Sequence, residues 1–344
     1  MNKAHIANHY LRACLHGALR QGHAAADLLT AAEIPVEWLN QPEQKITEQQ
    51  LTRLVKTVWR ATRDEFMGLA PHRCNNGIFA LMAEFCLPAQ TLGAMLNRSA
   101  RFYDRVYKGI DIGLDQGALR EDRLVFFRVH LQDGRYDPDH LLQEFLLLMW
   151  QRFSCWLVDR QIAFATTQFA YPAPGHAEEY RAMYPGEHLF DQPVSGFYLH
   201  SRHLQLPIVR TETELAQFLQ ASPANILHRP TQDDRFQAKI RLLLSQYDYT
   251  AMPSLEALAK ELHITPRTLS RKLQEEGTSF SQIKASLRRQ YAIKLLSTES
   301  LSVADVSERM GFSEMASFCR AFKRWTGTPP STWGRNHRLA KGTL

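Results

Sequence analysis

Cysteine is scarce in this chain of 344 residues, and the five present (Cys14, Cys74, Cys86, Cys155 and Cys319) are odd in number, widely spaced and without a CxxC pair. That pattern argues against a disulfide framework or a zinc finger, and reduced thiols are expected. Long apolar runs are missing as well. The longest, residues 145–150, falls far short of the roughly 18 residues that suggest a membrane span, so no contact with a membrane is expected. The opening segment MNKAHIANHYLRACLHGALR sets His5, His9, Arg12 and His16 among its apolar positions. A secretory signal does not tolerate such interruptions, and a cytoplasmic protein is expected. Catalytic and metal-binding constellations are equally thin. His5 and His9 have i, i+4 spacing, yet the intervening IAN carries no glutamate and no third ligand is evident. They read as surface histidines, and neither metal, cofactor nor enzymatic activity is expected. Cys74 and Cys86 would need exposure and an activating charge to act as redox sensors, whereas Cys86 lies in the apolar run FCL and reads as core.

An excess of positive charge is absent from the first two thirds of the chain and concentrated in the last. Residues 1–230 hold 23 lysines and arginines against 24 aspartates and glutamates, a net of −1, while residues 231–344 hold 18 against 11, a net of +7. A basic module joined to a neutral one fits a polyanion-binding unit, because phosphate neutralisation is the sequence-independent part of DNA affinity.

After ASPANILHRPTQDD, whose Pro223 and Pro230 suit a domain boundary, the pattern becomes almost wholly helical. A helix over about 236–247 carries Ile240, Leu243 and Leu244. In SLEALAKELHITPRTLSRKLQEEG, Ser254 is the expected N-cap of a helix bearing Leu255, Leu258 and Leu262. HIT is a tight turn, and Pro266 sits in the first turn of a second helix. The same grammar returns about 48 residues later in SVADVSERMGFSEMASFCRAFKRWTG. Ser302, Val306 and Met310 match Ser254, Leu258 and Leu262; after one inserted residue, Phe318, Arg320 and Phe322 match Leu269, Arg271 and Leu273. Gly311 stands in the second turn, where a left-handed backbone is expected. Between the copies, Phe280, Ile283, Leu287, Tyr291 and Leu295 form the apolar stripe of a further helix.

Helix, turn, helix is the geometry in which a second helix enters the major groove and offers polar side chains to base edges. Leu269 and Leu273 face inward, which leaves Arg267, Ser270, Arg271 and Lys272 as DNA-contact candidates. With Phe318 and Phe322 inward, Ala316, Ser317, Arg320, Lys323 and Arg324 are the candidates of the second copy. Arginine is the most informative, since its planar fork pairs with guanine O6 and N7. The segments ALAKELHITPRTLSRKLQEEGTSF, RRQYAIKLLS and VADVSERMGFSEMASFCRAFKRWTGTPPSTW closely resemble the DNA-binding domain of the AraC/XylS family of bacterial regulators, over about residues 235–338. The resemblance implies a seven-helix domain with two recognition helices in successive major-groove segments. It also implies control of transcription, usually activation, with RNA polymerase as a partner.

The first two thirds read as helical to about residue 106, with ITEQQLTRLVKTVWRATRD a clear amphipathic case. Strand-like runs follow at GIDIGLD and DRLVFFRVH, then an apolar helix from 139 to about 158, then strands at FATTQFAY and PVSGFYLH. Two helix-strand-strand units are expected. The segments FALMAEFCLPAQTLGAMLNRSARFYDRV and FAYPAPGHAEEYRAMYPGEHLFDQPVSGFYLHSRHLQLPIVR are similar to the sensor domain of the ornithine-utilisation type of AraC-like regulators, roughly over residues 20–215. That domain carries an arabinose-binding label, but so helical a chain does not suit an all-β jelly roll, and a sugar is not expected. Phe102, Tyr103 and Tyr107 are effector-pocket candidates, though aromatics at helical spacing are more often core. The 141–158 helix is apolar almost all round, which points to deep burial or a subunit interface.

The sequence therefore predicts an α+β N-terminal domain, helices with a small antiparallel sheet, followed by an all-α C-terminal domain. The first, 1–225, is expected to sense a small-molecule effector and to dimerise. The second, 226–344, is expected to bind double-stranded DNA through helix-turn-helix units at about 254–276 and 302–326. The alternatives are a DNA-binding protein without an effector, and an enzyme fused to a DNA reader.

Overall fold

The structure, a computed structural model, describes residues 5–115, 123–227, 234–276, 278–298 and 301–333. The chain divides into two units, Met1–Arg229 and Pro230–Leu344. The boundary proline Pro230 and residues 334–338 of the C-terminal block lie outside the described residues.

In chain order the first unit contains β1 (His5–Ala7), α1 (His9–Arg20), α2 (Ala25–Ala31), β2 (Lys45–Thr47), α3 (Glu48–Thr62), α4 (Ile78–Cys86), α5 (Leu92–Val106), β3 (Ile110–Asp115) and β4 (Leu124–Leu131). It continues with α6 (Leu141–Leu157), β5 (Phe164–Gln168), α7 (Tyr180–Met183), β6 (Glu187–Leu189), β7 (Gly196–His200), α8 (Glu212–Ala221) and α9 (Ala224–Leu227). The strict alternation in β4 buries Val125, Phe127, Val129 and Leu131 on one face, as a half-buried strand requires. The five-stranded sheet has the order β3-β4-β7-β5-β6, with Phe127 opposite both Leu114 on β3 and Phe197 on β7.

Four strands fall where the alternation puts them, but the second helix-strand-strand unit is more elaborate than expected. Between β5 and β7 the chain inserts α7 and β6, and β6 pairs parallel to β5 while the other pairs are antiparallel. A parallel pair needs a crossover of about a dozen residues or more, which the segment containing α7 supplies. The short β1 and β2 pair with each other in a separate two-stranded ribbon. This places the backbone of His5 in a strand and His9 in a helix, so the i, i+4 spacing does not put the two on one helical face.

Helix α6 is buried almost all round, and its polar side chains tie it to its surroundings. Gln143 donates to the Val129 carbonyl at 2.8 Å and accepts the Leu131 N–H at 3.0 Å, while Gln151 donates to Thr167 Oγ1 on β5 at 2.8 Å. Glu144, 1% exposed, accepts from the Tyr10 hydroxyl at 2.7 Å and the Tyr180 hydroxyl at 2.5 Å, and lies 2.9 Å from His176 Nε2. Such a carboxyl is tolerated in a core because its oxygens are satisfied. Cys74 and Cys86 are both buried; burial raises the thiol pKa of each, that of Cys86 to about 12. No described helix is long and apolar enough to cross a membrane.

The second unit is helical: α10 (Asp234–Leu244), α11 (Leu255–Glu261), α12 (Pro266–Glu275), α13 (Phe280–Thr298), α14 (Val303–Arg309) and α15 (Met315–Thr326), with residues 330–333 also helical. Ile240, Leu244, Leu258, Leu269, Leu273 and Ile283 join α10 to α13 in one apolar cluster.

Candidate nucleic-acid interface

The two helical pairs α11–α12 and α14–α15 are built by the same local devices. Ser254 Oγ accepts the Ala257 N–H at 3.2 Å, and Ser302 Oγ accepts the Asp305 N–H at 3.1 Å. Each satisfies one of the amides that a helix start leaves unpaired. Thr265 caps α12, with Pro266 in its first turn. The turns correspond as well: His263 has φ 54° where, 48 residues on, Gly311 has φ 75°. Both copies thus need a left-handed residue between their helices, and only the second supplies the residue type that adopts it without cost.

Burial then fixes which side of each second helix is offered to solvent. On α12, Leu269 and Leu273 are fully buried, while Arg267 and Arg271 are exposed and Ser270 is half-buried between them. Arg271 Nη1 donates to Glu275 at 3.1 Å, an exposed pair that contributes little and leaves the guanidinium available. Lys272 differs from its neighbours. Its ammonium lies 5.0 Å from the centre of the Phe236 ring, on the side that packs toward α10, because position 272 is rotated away from the Arg267–Arg271 face. Gln274, absent from the sequence-derived candidates, is exposed. It stands seven residues from Arg267 and three from Arg271, the spacing that shares a helical face.

On α15, Phe318 and Phe322 are fully buried, their rings 5.7 Å apart, with Trp333 6.0 Å from Phe322. Ala316, Arg320, Lys323 and Arg324 are exposed, and Ser317 is half-buried. Arg320 Nη2 donates to Ser317 Oγ at 2.9 Å. From α13, the largely buried Arg289 donates to the Trp325 carbonyl at 3.2 Å, joining the connecting helix to the end of α15. Each second helix therefore sets a face bearing basic side chains, Arg267 and Arg271 on α12 and Arg320, Lys323 and Arg324 on α15, opposite a fully buried apolar pair.

The three aromatic effector candidates of the first unit separate in the structure. Tyr103 is 2% exposed and lines a cavity with Trp59, Glu65, Phe79 and Phe145. Tyr107 is spent on packing: its hydroxyl donates to the His72 carbonyl at 2.5 Å and its ring meets Phe66 edge-on at 4.9 Å. Phe102 packs between Phe85 and Tyr103.

Comparison with known proteins places both units. The profile of the arabinose-binding N-terminal domain of AraC transcription regulators matches residues 22–208, and a helix-turn-helix domain profile matches residues 258–336. The ornithine utilization regulator of Pseudomonas aeruginosa is 24% identical over 327 residues, covering 94% of each chain. The urease operon transcriptional activator of Escherichia coli is 42% identical over 77 residues, covering 22% of this chain and 26% of that one. Among solved structures, the transcriptional regulator CdpR from Pseudomonas aeruginosa is 19% identical and covers 90% of this chain and 96% of that one, with a TM-score of 0.30. Since the N-terminal profile alone spans more than half of its residues, the chain belongs to the AraC family of helix-turn-helix transcription regulators, of the type with an arabinose-binding-like N-terminal domain.

Proposed function

We propose that this regulator reads double-stranded DNA with two recognition helices per chain, under the control of a small molecule held in the N-terminal unit. Arg267, Ser270, Arg271 and Gln274 on α12 meet one major-groove segment, and Ala316, Ser317, Arg320, Lys323 and Arg324 on α15 meet the next. The observation carrying this reading is the pairing, on both helices, of a solvent-facing basic face with a fully buried apolar pair. Arg271 and Arg320 reach base edges, Lys323 and Arg324 neutralise phosphates, and Lys272 serves the packing of α12 on Phe236. The protein acts in the cytoplasm as a homodimer joined through its N-terminal units, and activates transcription by contact with RNA polymerase. The urease activator's likeness over the C-terminal region supports activation.

Mapping the genomic sites bound by the full-length chain, followed by footprinting on one of them, tests this reading. An Arg271→Ala/Arg320→Ala double variant is expected to lose the footprint while keeping its thermal melting profile. An unchanged footprint would remove both helices from the interface. Sedimentation of the full chain tests the dimer, and transcription from the mapped promoter in a purified polymerase system tests activation.

A further inference from the structure

A cavity of about 130 Å³ lies within the N-terminal unit, close to the ~150 Å³ that admits a benzene-sized ligand. Trp59, Phe66, Phe79, Tyr103 and Phe145 contribute aromatic rings to its wall, and Glu65 is the one charged residue among the described residues lining it. Among the described residues lining it there is no lysine, arginine or histidine to receive an anion. The Glu65 carboxylate accepts the Gly77 N–H at 2.7 Å and the Phe79 N–H at 2.9 Å. A carboxylate offers about four acceptor positions, so roughly half of its capacity is unused. Burial raises its pKa against the pull of those two amides. Tyr103, 2% exposed, lines the same cavity. A plain aromatic core accounts for the rings alone; it does not account for open volume beside a carboxylate held only by two backbone amides.

We infer that this cavity is the effector site and that its ligand is a small organic ammonium ion with an apolar body of aromatic size. The inference rests on the reading of the protein as an effector-controlled regulator and names the ligand class. An ammonium donates to Glu65 and to the Tyr103 oxygen, and the surrounding ring faces stabilise the cation further. It thereby adds a cationic partner to a carboxylate otherwise held by two backbone amides. A sugar would leave most of its hydroxyls facing aromatic and aliphatic wall, and a carboxylate or phosphate ligand would face Glu65 with no compensating cation among the described residues. Ser222 and Ile226 close the cavity from the α8–α9 corner. Because α9 ends at Leu227 and the DNA-binding unit begins at Pro230 in the sequence, a ligand touching Ile226 acts on the segment that leads into that unit.

Titration calorimetry on the full-length chain near neutral pH, with 2-phenylethylamine, 2-phenylethanol and phenylacetate as probes of similar size, tests the assignment. The amine is expected to bind about tenfold more tightly than the alcohol, and phenylacetate not at all. Ala80→Leu, which fills the cavity, should abolish binding. Tyr103→Phe, which keeps the ring, should weaken the amine several-fold with the melting profile retained, and Glu65→Gln should erase the preference for amine over alcohol. Alcohol or phenylacetate binding as tightly as the amine, amine binding indifferent to Ala80→Leu, or no amine binding would each overturn the proposal. Gel shifts on a mapped site run in parallel separate the two readings. Failed amine binding with DNA binding intact refutes the ligand class alone, while absent DNA binding refutes the regulator reading beneath it.

Discussion

Arg320 Nη2 donates to Ser317 Oγ at 2.9 Å, three residues back along α15. The bond holds a long, exposed side chain over the solvent-facing side of α15, so less rotamer freedom remains to be lost if that side binds DNA as proposed. Arg320→Ala is expected to weaken binding to a mapped site by ~1–3 kcal/mol and to relax base preference at one position. Ser317→Ala removes the tether and one small hydroxyl of the same face, and should cost less. Arg271→Ala should cost a similar ~1–3 kcal/mol at the other half of the site. Anisotropy titrations on single-base variants of the site measure all three; equal affinity for parent and Arg320→Ala would show that Arg320 touches no DNA.

The proposed phosphate contacts carry a second, sequence-independent signature. Log affinity should fall linearly with log salt, and Lys323→Ala or Arg324→Ala should each reduce the slope by about 1 while leaving base preference unchanged. Titrations at several salt concentrations read this directly. A slope unaffected by either substitution would place those two side chains away from the backbone.

What was legible in the sequence was local. Ser254, Ser302 and Pro266 announce helix starts because capping is settled within four residues, and the i, i+4 pairs Leu269/Leu273 and Phe318/Phe322 fix the inward faces. Gln274 was equally available from its spacing to Arg267. Lys272 was not, since its placement depends on Phe236 from another helix. Nor does three-residue β6 carry enough alternation to be seen. Glu144 sits in a helix whose sequence reads as apolar, and its partner Tyr10 is 134 residues away. Tyr103, Glu65 and Trp59 meet in one cavity through tertiary packing that no spacing encodes.

The corresponding turns give a paired stability test. Gly311 has φ 75°, and a Cβ built there would meet Thr250 Cγ2 at 3.0 Å, so Gly311→Ala should destabilise the helical unit by about 1–2 kcal/mol. His263, at φ 54° in the first turn, already bears that strain. His263→Gly relieves it, offset in part by the greater freedom of glycine in the unfolded chain, for a net gain of up to about 1 kcal/mol. Chemical denaturation of both variants checks the opposite signs. Destabilisation by His263→Gly would mean the imidazole contributes more than its backbone strain costs.

The carboxyl of Glu144 supports a prediction about the core of the N-terminal unit. The Tyr180 hydroxyl donates to it at 2.5 Å and lies 3.1 Å from the Tyr171 hydroxyl. Tyr180→Phe keeps the ring and removes both contacts. The expected loss is about 1–3 kcal/mol, the cost of leaving buried polar groups short of a partner. A melting temperature equal to that of the parent would show that the remaining partners, Tyr10 and His176, suffice for Glu144.

Asp137 gives the N-terminal unit a pH dependence of unusual sign for an aspartate. It is 1% exposed and accepts the Leu142 and Gln143 N–H groups at 3.1 and 3.0 Å at the start of α6. Burial pushes its carboxyl up to about 7, opposed by those two bonds and reinforced by the nearby Glu144 and Asp139. In the unfolded chain an aspartate titrates at about 4. Between those two values the folded protein binds more protons than the unfolded one, so this group's contribution to stability declines as pH rises from about 4 to about 7 and is constant above. Asp137→Asn retains an oxygen for one of the two N–H groups and cannot ionise. Titrations of other groups, including His130 and His140, whose pKa values burial lowers, are common to both proteins and largely cancel in the comparison. The stability of the parent relative to Asp137→Asn, followed by urea denaturation, should therefore fall across that window. A relative stability that climbed with pH instead would mean that the two N–H groups at the start of α6 outweigh burial, and that the folded carboxyl titrates below its unfolded value.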